Sequence, residues 1–509
     1  MHFLSRCDEL AGCGKTFPAD LPNCPHCGAD AAFSAPSNDV DVRDWGYDLE
    51  SYPNIFTCTW IHAATGLEVV HEISEWKNDR EALVTFMYGL RQAKARGVGF
   101  NNVGFDYPVL HWIAQNQMCD AAAIYDHMSG IIRREDKFGA VVWDNDRIFE
   151  QIDLYKICHF DNKARSTSLK AIEIRRRSRT VEDLPFPVGT ILTAEQRATL
   201  LKYNRKDVLE TLFFYMEIRD NVHFREELTE RYSRNFMNHN DTKIGKDYFI
   251  MELEKAGVEC FVSGPGGKSP RQTVRPSIRL GDVIFPYVRF ESSEFQRVLD
   301  FFRNTTITQT KGVFDDLSVV VDDVEYKFGT GGIHAAVDNT VWKSSEEYIL
   351  ESRDVVSYYP TMAIENRVFP EHLSDRFCDI YKTMFLERRR AKRDGLDNIQ
   401  KMLKLALNGT YGDSNNVYSP FYDPKFTMTI TINGQLMLCM LIEQLLKVPG
   451  MRIPNTNTDG LVIYYPRQYA NHVDNVCEWW QQVTMLELET DKMSALYQRD
   501  CNNYIAVID

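Results

Sequence analysis

The chain has 509 residues, too many for a single hydrophobic core, so three or more units of ordinary domain size are expected. Its composition, 44% hydrophobic and 26% charged, is that of a globular protein; no apolar run reads as long enough to cross a bilayer, and "MHFLSRCDEL" has no apolar core after Arg6, so no secretory signal is expected. The net charge of −14 excludes nucleic-acid binding by a uniformly basic surface, though not by a local basic channel, and a soluble cytoplasmic protein without a membrane partner is the expectation.

The first element is "CDELAGCGKTFPADLPNCPHCG", with Cys7, Cys13, Cys24 and Cys27. Four thiolates around a tetrahedral ion need tight turns, and a glycine follows Cys13 and Cys27, so residues 1–35 read as a small zinc ribbon holding Zn²⁺. The first spacing is wider than usual, and His26 is an alternative ligand. The other eight cysteines stand singly and read as buried thiols, without a disulfide framework. After the polar "SAPSNDVDVR" linker, short β-rich runs lead into the helical "REALVTFMYGLRQAKARG", an α/β pattern reaching to about residue 230. The Gly, Pro and Arg-rich "SGPGGKSPRQTVRPSIRLG" interrupts the middle, and the last third mixes strands with strong helices. Two basic clusters, "RRRSRT" at 175–180 and "RRRAKR" at 388–393, read first as solvated helix faces.

In "YDLE", Asp48 and Glu50 are two apart on a strand, so both carboxylates leave the same face. Alone, that is a solvated strand face. "NNVGFDYPVL" then puts Asp106 after an aromatic and before a helix, and "LLKYNRKDVLETLFFY" puts Tyr203 and Asp207 one helical turn apart. Together these segments resemble the DxE, Nx₃D and Yx₃D elements of DEDDy-type proofreading exonucleases, which have a ribonuclease H-like fold. The resemblance implies that Asp48, Glu50, Asp106 and Asp207 hold two Mg²⁺ or Mn²⁺ ions and that Tyr203 orients the attacking water. It also implies that Asn102 and Phe105 contact a frayed single-stranded end.

Further on, "RDVVSYYPTMAIEN" has Asp354 ending an apolar strand. "KLALNGTYGDSNN" sets Lys404, Asn408 and Tyr411 on one helical face, and "NTNTDGLVIYYP" carries Asp459 in a hairpin. Alone, the last is a common Asp-Gly turn. As a series the three resemble the motifs DxxSLYP, Kx₃NSxYG and DTDS of family B DNA polymerases. "GTGGIHAAV", with Gly331 and Gly332, resembles the Gly-Gly link between their exonuclease and polymerase regions, and "NHNDTKIGKDYFI" and "DCNNYIAVID" resemble phage replicative members.

The resemblance implies a ribonuclease H-like exonuclease domain at 36–235, a linking region at 236–334, a palm at 335–375 and 413–509, and short helical fingers at 376–412: an α/β and α+β multidomain protein. Asp354 and Asp459 would hold a second Mg²⁺ or Mn²⁺ pair. Lys404 would meet the triphosphate, with Arg388 and Lys392 one helical turn apart adding two cations, although Arg389 and Arg393 fit the same spacing. Asn408 and Tyr411 would shape the nascent base pair, Tyr359 would exclude a 2′ hydroxyl, and Gly331, Gly332 and Tyr504 would contact DNA. The implied activity is DNA-directed DNA synthesis with 3′–5′ proofreading on primer–template DNA and dNTPs, in the bacterial host cytoplasm if phage-encoded. An exonuclease with a silent polymerase half, or a non-catalytic replisome-binding module, is the alternative. Three departures stand out. Asn457 replaces the first acid of DTDS, and Gly460 and Gly409 replace serines; "CNNY" stands where a lysine-rich KKxY would grip the primer. The sequence stops where a thumb would follow, so the expectation is either a fragment or a split gene whose second polypeptide supplies the thumb; a replisome protein at the zinc ribbon is a further expected partner.

Overall fold

The computed structural model describes residues 41–134, 139–178, 180–265 and 267–509, together with three earlier strands, Phe3–Cys7, Thr16–Pro18 and Ala31–Pro36, which pair antiparallel about the first. The side chains of Cys7, Cys13, Cys24 and Cys27 lie outside the described residues. Instead of three or more units, the chain divides into two, Met1–Asp241 and Thr242–Asp509. Beyond Asp241 the stretch up to residue 334 belongs to the second unit and contributes strands to its main sheet.

The first unit is built on a five-stranded sheet in the order Glu68–Ser74, Ile55–His62, Asp44–Tyr52, Arg96–Gly99, Glu150–Asp153. The first three strands form an antiparallel meander, and the last two add in parallel to Asp44–Tyr52. Strand Ile55–His62 is buried at every position, as a β-branched and aromatic run covered on both faces should be. On one face Tyr47, Leu49, Phe56 and Trp60 pack with Leu83, Met87 and Leu110 from helices Arg80–Gln92 and Asp106–Gln115. The long helix Ala194–Glu217, opened by a Thr193–Gln196 capping box, covers the other face through Val208 and Leu212. Gly46 makes that approach possible, because a Cβ there would lie 2.5 Å from Leu212 Cγ. Asp48 and Glu50 share the face of Gly46 by strand alternation, so the same close approach brings the helix over them.

The second unit holds a nine-stranded sheet, in the order Ser318–Val321, Val324–Gly329, Gly332–Ala336, Arg452–Asn457, Gly460–Pro466, Tyr348–Val355, Leu488–Asp500, Thr340–Lys343, with Asn503–Ile508 also paired to Leu488–Asp500. Helices Tyr358–Glu365, Arg376–Arg393, Asp397–Gly412 and Pro424–Leu445 pack beside it. Contrary to the reading of the sequence, Pro424–Leu445 is long and apolar enough for a membrane span, but its apolar window is wholly buried in this unit. Its threonines and amides obscure that character in the sequence; inside the fold they bond back to the helix, Thr429 Oγ1 donating to the Lys425 carbonyl at 2.8 Å and Asn433 Nδ2 to the Thr429 carbonyl at 2.8 Å.

Candidate active sites

In the first unit, Asp48, Glu50 and Asp207 each bring a carboxylate oxygen within 4.8 Å of the other two. A divalent cation takes oxygen ligands at roughly 2.0–2.6 Å, so one ion can bridge this spacing and the residues fit a metal. Asp106, at the first turn of its helix, raises the proton affinity of both Asp48 and Glu50 by its charge. Burial, then mutual repulsion among the acids, pushes Asp48 and Glu50 well above the usual carboxylate range; burial pushes Asp106 up to about 7. Four acids so arranged need cationic charge to ionise together.

One cation is already present, and sequence reasoning missed it. Lys170, near the start of helix Leu169–Arg176, donates to Asp207 Oδ1 at 2.8 Å and lies 4.7 Å from the centre of the Tyr203 ring. Burial opposes its charge, but Asp207 holds it protonated. Asn204, also missed, donates to Asp48 Oδ2 at 2.9 Å, fixing one carboxylate from the helix that carries Asp207. Lys170 lies 37 residues before Asp207, so no spacing flags it; Asn204 stands on the Asp207 helix itself, but its residue type does not mark it out.

Asn102 does not present itself to a strand end. It is fully buried, its amide donating to Gln151 Oε1 at 2.9 Å and Tyr47 Oη at 3.3 Å, because the loop before Asp106 packs over the sheet. Phe105 is half-buried and leans on the same core.

In the second unit, the hairpin Arg452–Asn457 to Gly460–Pro466 pairs with the Asp354 strand, setting Asp354 opposite Gly460. Val355 N–H donates to the Asp459 carbonyl at 2.8 Å. Burial raises the Asp354 pKa, and Asp459, Asp491 and Glu489 add to it. The last two were missed: Glu489 is opposite Asp354 and Asp491 opposite Ser352 on the neighbouring strand. Their signal was the same two-residue alternation that marked Asp48 and Glu50.

Asn457 brings no charge: its amide donates to Asn502 Oδ1 at 3.3 Å and its carbonyl accepts from Thr458 Oγ1 at 3.0 Å. Thr458 holds φ 58°, costly for a β-branched residue, and Gly332 is buried behind it, where a Cβ would lie 2.8 Å from Thr458 Cα. Gly332 therefore supports the hairpin turn and does not meet DNA through its own surface. Gly331 is exposed, and its carbonyl accepts from Tyr359 Oη at 2.9 Å.

The Tyr359 ring lies 4.4 Å from that of Tyr411, whose hydroxyl pairs with Thr431 Oγ1 at 2.6 Å. Lys404 and Asn408 are exposed on the outer stripe of helix Asp397–Gly412, while Met402, Leu403, Ala406 and Leu407 face inward. On the basic helix, Arg388 turns in and donates to Ser357 Oγ at 2.9 Å, three residues after Asp354, while Arg389 pairs with Glu487 and Arg393 with Asp394. Lys392 is exposed, and Tyr504 is half-exposed on the strand Asn503–Ile508.

No protein-family profile matches the chain. DNA polymerase 1 of Saccharolobus solfataricus is 26% identical over 96 residues, 19% of this chain and 10% of that protein. Among solved structures, the family B DNA polymerase of the hyperthermophilic archaeon Pyrobaculum calidifontis is similar with a TM-score of 0.48 at 14% identity, over 96% of this chain and 62% of that one. The chain thus spans less than two thirds of the length of each of these two proteins.

Proposed function

We propose that the chain is a template-directed DNA polymerase of phage replicative type with a 3′–5′ proofreading exonuclease, and that each reaction uses paired Mg²⁺ or Mn²⁺ ions. The observation that carries the reading is the juxtaposition of Asp354, on its strand, with Asp459, in the turn of the hairpin paired to it, with Glu489 and Asp491 beside Asp354. The stretch of identity with a protein named DNA polymerase 1 supports it.

Asp354 and Asp459 would hold the polymerising ions, and Asp48, Glu50, Asp106 and Asp207 the hydrolytic ones. Bound there, divalent ions lower the pKa of an attacking hydroxyl or water and stabilise the departing oxygen. The protein's own groups do the rest. Lys404 and Arg388 draw in the triphosphate, and Asn408 and Tyr411 form one wall of the base-pair pocket. The Tyr359 ring, held by Gly331, leaves no room for a 2′ hydroxyl. In the first unit the Tyr203 phenol orients the attacking water while Lys170 fixes Asp207 beside it.

The uncharged Asn457 favours a second reading, an exonuclease whose polymerase half is silent. Primer extension with Mg²⁺ and dNTPs separates the two. Asp459→Ala is expected to abolish extension and keep degradation, and Asp48→Ala to do the reverse. A wild-type protein that degrades primers and never lengthens them would establish the second reading.

A further inference from the structure

The chain as a whole is acidic, yet residues 156–177 hold seven lysines and arginines against two acids. This stretch leads into and forms helix Leu169–Arg176, whose first turn carries Lys170 against Asp207. From Lys170 to Arg177 is about 10 Å along a helix, the rise of two to three stacked nucleotides at roughly 3.4 Å each. Most of these charges are uncommitted. Lys163, Arg165, Arg175 and Arg177 are exposed, and their side chains have no ion pair among the described residues. Arg176, between two of them, is the exception: it bonds Glu210 at 3.0 Å and Glu217 at 2.5 Å on the long helix. That anchor, with Arg177 closing the helix at φ 58°, fixes where Arg175 and Arg177 are carried.

We infer that Lys163, Arg165, Arg175 and Arg177 form a phosphate track that holds the backbone of a single-stranded 3′ end as it enters the four-acid site. The inference rests on the exonuclease reading of that site and adds to it the surface that delivers the strand. Such a track needs unpaired cations beside the reacting phosphodiester and no base-reading groups, so it predicts sequence-independent, strongly salt-dependent binding.

The test uses the full chain and a 5′-labelled oligothymidylate, with anisotropy read in EDTA so that no hydrolysis occurs. Each lost phosphate contact removes about 0.7 from the slope of log K against log salt on single strands. The pairs Arg175→Ala/Arg177→Ala and Lys163→Ala/Arg165→Ala should therefore each lower the slope by about 1.4. Arg175→Lys/Arg177→Lys should restore it. Hydrolysis of the p-nitrophenyl ester of thymidine 5′-monophosphate, which has one phosphate and no strand to hold, should continue unchanged in Mg²⁺ while oligonucleotide degradation acquires a higher KM. Slopes equal to wild type in both pairs would overturn the track. So would loss of ester hydrolysis in step with binding, or competition by polyglutamate equal to that by the oligonucleotide. If wild type hydrolyses neither substrate, the exonuclease reading fails by itself and the slopes still decide whether these residues hold a strand.

Discussion

Gly460 offers the sharpest perturbation of the second unit's acids. It lies opposite Asp354 in the strand register, and the carboxylate rests over the bare Cα: a Cβ at 460 would lie 1.8 Å from Asp354 Oδ1 and 2.8 Å from its Cγ. An ordinary carbon–oxygen contact is roughly 3.3 Å, so a methyl group requires the oxygen to retreat by about 1.5 Å. Misplacing a reacting group by 1 Å costs on the order of 10²-fold in rate, about 2.7 kcal/mol of transition-state stabilisation. Gly460→Ala is thus expected to lower primer extension at least 100-fold, and Gly460→Ser to do the same, even though serine is the residue of the polymerase motif that this hairpin resembles. The assay is single-nucleotide extension of a labelled primer in Asp48→Ala background, with 3′–5′ degradation measured separately in otherwise wild-type protein as the control for folding. Degradation should be unaffected, since the two sets of acids belong to different units. Extension within threefold of the parent in both variants would refute the claim that Asp354 needs the space above Gly460.

Three further outcomes follow from the first unit. His71 is 5% exposed, and burial lowers its pKa from 6.5 to about 4. Being neutral in the fold, it contributes full stability above pH 6.5 and loses it as pH falls, because the unfolded chain takes up the proton first; the loss reaches about 3 kcal/mol by pH 4. His71→Leu should flatten the fall in urea-unfolding free energy over that window, and an unchanged acid limb would refute it. Arg96 donates to buried Asp44 at 2.6 and 2.9 Å, and pairs with Glu226 at 2.7 Å. Arg96→Ala leaves the Asp44 carboxylate, at 0% exposure, only the Tyr215 hydroxyl and Arg219 3.9 Å away, and should cost about 3 kcal/mol in denaturant unfolding, whereas Asp44→Asn/Arg96→Met should cost less than that single change. Asn102→Ala removes a buried amide from Gln151 and Tyr47, so it should cost about 1–3 kcal/mol of stability while leaving the salt slope of oligonucleotide binding intact.

What the sequence disclosed and what it hid divide along one physical line. Spacing within an element is printed in the sequence: Asp48 with Glu50 on a strand, Tyr203 with Asp207 and Lys404 with Asn408 on helices, all keep the face that their periods assign. Contacts between elements depend on register and approach, which no local pattern encodes. Lys170 reaches Asp207 because two helices pack, and Glu489 stands beside Asp354 because strand Leu488–Asp500 pairs at one register; a slip of one residue would turn Glu489 to the other face. Asn102 shows the converse, a residue whose motif position was legible but whose burial was set by the sheet beneath it. The same distinction bears on Asn457. Read along the chain, it is an uncharged residue where the motif this hairpin resembles has an acid; read across the sheet, Glu489 and Asp491 bring two carboxylates to the neighbourhood of Asp354 from another strand. The negative charge around Asp354 is therefore set by the hairpin and by strand Leu488–Asp500 together, through Asp459, Glu489 and Asp491.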